Sequence, residues 1–408
     1  MRLLYITNGF PYPLTSGYLR HYHFIRGLAR QHSIDLVALS RTRVQESHRA
    51  VMQRFVRRVE VFEPPRALRS FSDKIRSKVH AWRGGLGPLS EMCHKVEQLV
   101  RAESFDAVVL SGKQTPPVIS RLAGLPLIID MCDAASLRIR GAMRHARAIA
   151  AVPLLGKYLR MRRIERYLVR KADHLLFASQ RDRDAAMGKG RHDRRFLAWK
   201  ADTADPTVLP NGVDLDYWRR ATDRRNPYEI VFTGAMDYPP NTDAALLLAQ
   251  SVFPLVRQVC PKATLSLVGR DPTPEVVDAG RRPGVTVTGW VEDVRPYLEQ
   301  AAVFAAPLRF GAGIQNKLLE ALAMEVPIVA SRLAADGLRT AEDKGAPILT
   351  ADAPTEFASM LIRQMQQPSS KHADMLSRRC FVERHFDWQR HVDTLDRVIR
   401  SVVQLRAS

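Results

Sequence analysis

The 408-residue chain is poor in cysteine and in long apolar runs, and each shortage removes a class of protein. Cys93, Cys132, Cys260 and Cys380 stand far apart, with no close pair of the kind that ligates zinc and no framework for bridges. This excludes a disulfide-stapled scaffold and fits thiols in a reducing compartment, so a cytoplasmic protein is expected. No apolar stretch approaches the ~20 residues that cross a bilayer, which leaves a soluble or peripheral protein. The opening MRLLYITNGF is a short apolar run that meets Asn8 and Gly9, and it reads as a first strand, not a signal peptide. Aromatic residues are only 7% of the chain and are not interleaved with its dispersed basic residues, which argues against a stacking platform for nucleic acid. Metal-ligand spacing is also missing: His21 and His23, two apart in an expected helix, do not share a face.

What the chain has in excess is positive charge, and only in one half. Residues 1–209 hold 38 Lys+Arg against 18 Asp+Glu, whereas residues 210–408 hold 24 of each. The whole net charge of +20 thus belongs to the first half, pointing there to an anionic partner: membrane headgroups, an anionic acceptor or, last of the three, nucleic acid. An arginine-rich protein without a special partner would have the same composition. Within Leu137–Lys171, Leu155, Leu159, Ile164, Tyr167 and Leu168 form an apolar stripe among arginines. Such a stripe can lie on a membrane surface. The expectation adopted is the commoner one, that it packs on its own domain with the arginines solvated.

At about 150 residues per domain the length allows two or three domains. Short apolar runs at Leu3–Thr7, Ile34–Ser40, Val59–Phe62, Ala107–Ser111, Leu127–Asp130 and Leu175–Ala178 alternate with helical patterns, the first over Tyr18–Arg30. The rhythm restarts with Glu229–Gly234, Thr264–Gly269, Val285–Thr288, Val303–Ala306, Ile328–Ser331 and Pro347–Thr350, with helices such as Thr242–Val259 and Val294–Gln300 between them. Alternation of this kind predicts an α/β protein with parallel sheets covered by helices. Two such series predict two Rossmann-like domains facing across a cleft, residues 1–206 and 207–385. Residues 386–408 read as an amphipathic helix packing back across the junction, and 188–204 as a loop or short helix before it. Loops beyond the carboxyl ends of the strands, after Thr7, Ser111 and Asp130, are placed for function.

One stretch carries more than fold. Phe310–Ser331 reads as a loop with Gly311 and Gly313, a helix with Ile314, Leu318, Leu319, Leu322 and Ala323 on one face, and a strand. A glycine loop at a helix N-terminus presents free N–H groups to a phosphate. Lys317 can add a point charge, and Glu320 can take a sugar hydroxyl. An ordinary crossover with a glycine turn fits the same local pattern.

The order of segments decides between these readings. PNGVD (210–214), FTGAMDYPPN (232–241), LVGRDP (267–272), TGWVEDV (288–294) and GAGIQNKLLEALAMEVPIVAS (311–331) together resemble the retaining GT-B glycosyltransferases of family 4. Within that family the resemblance is to the subgroup linked to bacterial exopolysaccharide and PEP-CTERM sorting systems. It covers the second half in order; the first half resembles the family more loosely, through its first loop and Leu125–Asp133.

The resemblance implies transfer of a sugar, hexosyl in type, from a nucleoside-diphosphate sugar with retention of configuration. The donor would lie mainly on the second domain and the acceptor on the first. Glu320 matches the glutamate that binds ribose hydroxyls. Gly311, Gly313, Ile314, Gln315 and Asn316 match the loop that meets the donor sugar and diphosphate, with Lys317 as a phosphate ligand. Trp290 and Val291 border the base; Gly17 matches the glycine loop that approaches the diphosphate and acceptor. No metal or cofactor is implied beyond the sugar nucleotide as co-substrate.

Three departures stand out. Ala312 occupies the place of the motif's first glutamate; AMDYPPN lacks the basic residues common there, leaving Arg270, Arg309 and Lys317 to meet the diphosphate; and Cys132 replaces a histidine in Asp130-Met131-Cys132-Asp133. A buried cysteine is a poor general base. The leaving diphosphate would then take the acceptor proton, with cations and helix N–H groups stabilising its charge, and Asp133 or Asp130 would position the acceptor. Arg20 and His21 are further candidates beside an acceptor phosphate. The partners expected are a nucleotide-sugar donor, a saccharide or lipid-linked acceptor, and an anionic inner-membrane surface. Ala312 and Cys132 keep two alternatives open, a nucleotide-sugar epimerase or hydrolase and a non-catalytic sugar-nucleotide-binding protein.

Overall fold

The computed structural model describes residues 1–14, 18–64, 87–122, 124–145, 148–187, 205–222, 224–340, 345–366 and 372–407. The segment 188–204 and Gly17 lie outside them. Among the described residues the chain forms two sheets with every strand pairing parallel. The first contains β1 (Arg2–Thr7), β2 (Ser33–Leu39), β3 (Arg58–Phe62), β4 (Ala107–Ser111), β5 (Leu127–Cys132), β6 (His174–Phe177) and β7 (Thr207–Val208), in the order β3-β2-β1-β4-β5-β6-β7. The second contains β8 (Glu229–Thr233), β9 (Thr264–Val268), β10 (Val285–Gly289), β11 (Val303–Ala306), β12 (Ile328–Ala330) and β13 (Leu349–Thr350), in the order β10-β9-β8-β11-β12-β13. These are the two Rossmann-like α/β sheets expected from the strand–helix rhythm. Each sheet reverses direction beside its first strand, between β1 and β4 and between β8 and β11, and ligand crevices open at the carboxyl ends of such switch points.

Helices on both faces make the central strands continuously apolar: Leu3, Leu4, Tyr5 and Ile6 of β1 are all fully buried. β7 was not foreseen because two residues have no periodicity. β5 runs two residues further than expected, through a register shift between Asp130 and Cys132 that leaves Cys132 at a left-handed φ of 57°. The helix expected over Thr242–Val259 begins at Pro239 and contains a π-helical turn, Leu248–Val252. That turn lies just before Pro254, which has no N–H for the carbonyl four residues back.

The chain crosses between the sheets at Leu209–Val213 and returns beside itself, where Val213 N donates to Phe386 O (2.9 Å). Gly212 permits this approach, since a Cβ there would lie 2.6 Å from the Trp388 ring. The final helix, Trp388–Ala407, then lies on Leu19–Leu28 of the first domain. Trp388, Val392, Leu395, Ile399 and Val402 join that domain's core, and a Cβ on Gly27 would meet Val392 at 2.5 Å.

The helix Ala148–Lys171 corrects one expectation. Leu168 is buried and Ile164 half-buried, but Leu155, Leu159 and Tyr167 are exposed. The five positions do not form one stripe: Leu168 and Leu159 point to opposite sides of the helix.

Candidate active site

The loop after β11 leads into the helix Asn316–Ala323, whose buried side is Leu318, Leu319, Ala321, Leu322 and Ala323. Its other side carries Lys317 and Glu320, three residues apart and both half-buried, with Lys317 toward the carboxyl end of β8. Lys317 Nζ donates to Asn241 Oδ1 (2.6 Å) and lies 4.4 Å over the Phe232 ring. Gly234, at the end of β8, leaves room for this ammonium, because a Cβ there would be 2.9 Å from it. Loss of hydration pushes Lys317 down to about 7 and Glu320 up to about 7, each partly restrained by the other's charge. Among the described residues the Glu320 carboxylate accepts no side-chain or backbone hydrogen bond and joins no ion pair. A carboxylate and an ammonium are thus held on one helix face with hydrogen-bonding capacity left over.

The rest of the glycine loop is held from the other domain. Asp182, on the helix Gln180–Ala186 after β6, is fully buried and accepts Gly313 N (2.9 Å) at one oxygen and Ala134 N (2.9 Å) at the other. Its neighbour Arg181 donates to Gly311 O (3.2 Å) and Leu333 O (2.9 Å). Asn211 Nδ2 donates to Asn316 Oδ1 (2.8 Å). The Gly313 amide assigned to the donor is therefore already occupied by a carboxylate, and Asn316 is engaged across the junction. Gly313 adopts φ 70°, and a Cβ on it would lie 3.4 Å from Asp133 Cβ. Ile314 belongs to the core of the second domain, and Gln315 precedes the helix half-buried without capping it. Ala312 is buried as well.

On the first domain, sequence reasoning needs correction. Asp130 does not face an acceptor: it is 1% exposed and is the counterion of Arg20, whose Nε donates to it at 2.7 Å. Burial opposes the charge on Asp130, but Arg20 outweighs it and holds its pKa below the usual carboxylate range. Arg20 also donates to Leu209 O (2.7 Å), Pro210 O (3.0 Å) and Asn211 Oδ1 (3.1 Å), so it ties the crossing to the sheet. His21 is buried between Tyr5 OH (3.0 Å) and Ser111 Oγ (2.8 Å), and burial pushes it down to about 4, so it stays neutral. Neither Arg20 nor His21 is available to an acceptor phosphate.

Asp133 does reach the cleft, paired with a residue that sequence reasoning missed. Lys113 Nζ donates to Asp133 O (2.5 Å) and to its carboxylate. Burial disfavours the lysine's charge, yet Asp133 beside it keeps its pKa above the ordinary value. Burial pushes the Cys132 thiol up to about 12, so it stays protonated. Arg138 lies 5.7 Å over the Tyr238 ring of the opposite domain, bringing positive charge to the loop AMDYPPN that has none. Two signals in the sequence could have found these residues: Lys113 follows a strand that ends at the switch point, and Ser179-x-x-Asp182 is a helix-start pattern after a strand. Ser179 Oγ indeed accepts from Asp182 N.

The remaining candidates stand apart. Arg309 is bidentate to Asp243 and Arg270 pairs with Asp271, so both charges are already met. Trp290 is 71% exposed, while Val291 packs on the core of its domain. The described residues include no group of three His, Cys, Asp or Glu placed for a metal ion, and no helix long and apolar enough to cross a membrane.

Residues 227–367 match the family model described as glycosyl transferases group 1. The match spans most of the second domain, which is thus similar to the group 1 glycosyltransferases. No curated protein matches the chain in sequence. Solved structures match its whole length: Anabaena HepE in complex with UDP (15% identity, 98% of this chain and 100% of that one, TM-score 0.65), sucrose-phosphate synthase from Thermosynechococcus elongatus (16%, 100% and 100%, 0.69) and the UDP-forming α,α-trehalose-phosphate synthase from Burkholderia vietnamiensis (12%, 100% and 98%, 0.65). HepE is also solved with UDP-glucose. The fold is GT-B, and with its group 1 match the chain is a transferase enzyme.

Proposed function

We propose that the protein is a retaining glycosyltransferase of family 4 that moves a hexose from a nucleoside-diphosphate sugar to a saccharide or lipid-linked acceptor. Its setting would be exopolysaccharide or related glycoconjugate synthesis on the cytoplasmic face of the inner membrane, with the basic first half toward anionic lipid. The observation that carries the reading is Lys317 and Glu320 on one face of the helix at the β8–β11 switch point, within the segment that matches the group 1 model, with the Glu320 carboxylate unpartnered among the described residues. Neighbours solved with UDP and UDP-glucose support the donor class.

In this reading Glu320 accepts the ribose hydroxyls and Lys317 faces the diphosphate. The bond from the anomeric carbon to the phosphate oxygen breaks as the acceptor oxygen bonds to that carbon on the same face. The acceptor proton passes to the departing phosphate, since the Cys132 thiol is protonated and neutral His21 is buried elsewhere. Lys317 and the helix N–H groups then stabilise the diphosphate. Asp133, oriented by Lys113, is left to hold the acceptor hydroxyl.

Calorimetric titration with a panel of nucleoside-diphosphate sugars, followed by transfer to lipid extracts, tests the reading. A bound donor, transfer with retention, and loss of both in Glu320→Ala are expected. Release of nucleotide without an acceptor product would favour the hydrolase or epimerase, binding without turnover the non-catalytic reading. No binding by any donor would remove the proposal.

A further inference from the structure

The hairpin of helices Ala135–His145 and Ala148–Lys171 stands out by charge and exposure together. Residues 135–171 contain eleven Lys+Arg and one acid, Glu165. That acid is buried, accepting from Ser136 N (3.0 Å) and Ser136 Oγ (2.6 Å), so the outer surface of the longer helix carries no negative charge. Val152, Leu155, Leu159, Arg163, Tyr167 and Arg170 are exposed and follow one another at intervals of three or four residues, which places them on a single line. Val152 is 71% exposed, Leu155 47% and Leu159 52%. The opposite side, with Arg162, Glu165, Leu168 and Val169 buried, packs on the domain.

Such a line is apolar at its start and cationic toward its end. The 24-residue helix is about 36 Å long, while the adjacent strands, of four to six residues, reach at most about 20 Å. Since the helix ends just before β6 begins, its apolar first half stands beyond the carboxyl edge of the sheet, on the side of the cleft. There the preceding helix touches the second domain: His145 stacks on Phe310 at 6.1 Å, and a Cβ on Gly141 would meet Phe310 Cβ at 2.7 Å.

From this arrangement we infer that the outer face of Ala148–Lys171 is a membrane-docking surface, taking an anionic lipid bilayer with Val152, Leu155 and Leu159 in the interface and Arg163 and Arg170 on headgroup phosphates. Apolar side chains beside arginines that have no ion pair among the described residues suit that boundary and no neutral surface. A soluble acidic partner would pair with the arginines but leave the protruding aliphatic side chains wet. Docking by this helix holds the cleft mouth at the bilayer, where an acceptor anchored in lipid is presented. The inference thus rests on the proposed peripheral placement and names its element.

Sedimentation of the full chain with phosphatidylcholine vesicles, with and without a third of phosphatidylglycerol, tests it. Partitioning should rise at least about tenfold with the anionic lipid and fall in 0.5 M salt. Leu155→Glu/Leu159→Glu and, separately, Arg163→Glu/Arg170→Glu should each cut it about tenfold, with circular dichroism and nucleotide titration unchanged. Equal partitioning of either variant and the parent overturns the inference, as does equal binding to neutral vesicles. If the parent self-associates in gel filtration and the leucine variant does not, the face is a protein interface and the inference is also overturned. Nucleotide titration on the same samples reports separately on the donor reading.

Discussion

The carboxyl ends of the two sheets carry similar polar residues and treat them in opposite ways. At the first, Asp130, Arg20, His21, Tyr5 and Ser111 satisfy one another in closed buried networks. At the second, among the described residues, Lys317 meets only the neutral Asn241 amide and Phe232 ring, and the Glu320 carboxylate has no hydrogen-bond or ion-pair partner. Satisfied buried groups specify structure, and partly desolvated groups with spare capacity await a ligand. By that criterion, among the described residues, the first sheet offers Asp133 with Lys113, and the second supplies most of the site.

Breaking the closed network should have the largest effect. Arg20→Met leaves Asp130 buried without a counterion and should cost about 3–5 kcal/mol in urea unfolding. Nucleotide affinity of the folded fraction should hardly change; a milder loss would mean that the network is open to water.

Asp182→Ala is expected to come next. It leaves the Gly313 and Ala134 N–H groups without their acceptor, at about 1–3 kcal/mol by the same measurement. Small-angle scattering should show the two domains sampling wider separations.

Glu320→Gln, by contrast, should not destabilise the fold at neutral pH and should weaken nucleotide-sugar binding about tenfold or more, because the carboxylate serves the ligand and not the fold. Unchanged affinity would erase the contrast between the two sheet ends.

The pH dependence sharpens it further. Folded Glu320 binds a proton more tightly than the unfolded side chain, so its stabilising contribution is complete below about 4.5 and is lost as pH rises to about 7. Lys317 is opposite: the unfolded side chain holds the proton more tightly, so stability rises between about 7 and 10.5. Unfolding across pH 4–10 should show these two slopes meeting near neutrality. Glu320→Gln should remove the acid one and Lys317→Met the alkaline one. Trp290→Ala should have the smallest effect, within about 0.5 kcal/mol, since the side chain is exposed.

Much of this molecule was legible in its residues. Strand runs of four to six apolar residues alternating with helical periods predicted both parallel sheets, and the helix carrying Lys317 and Glu320 showed its buried face in its spacing. The polar pairs were not legible, because they join distant positions: Arg20 to Asp130, Lys113 to Asp133, Asp182 to Gly313. Asp130 and Asp133 look alike in sequence, yet the register shift at Cys132 sends one into the sheet and the other to the cleft. The helix Ala148–Lys171 was misjudged because composition does not tell which side of a helix the domain covers.

The sequence by itself determined the two α/β sheets, the placing of the positive charge in one half and the group 1 segment order, all properties of local pattern and composition. Tertiary structure decided which charges remain unspent. That depends on the counterion each meets across the fold, and no periodicity records it.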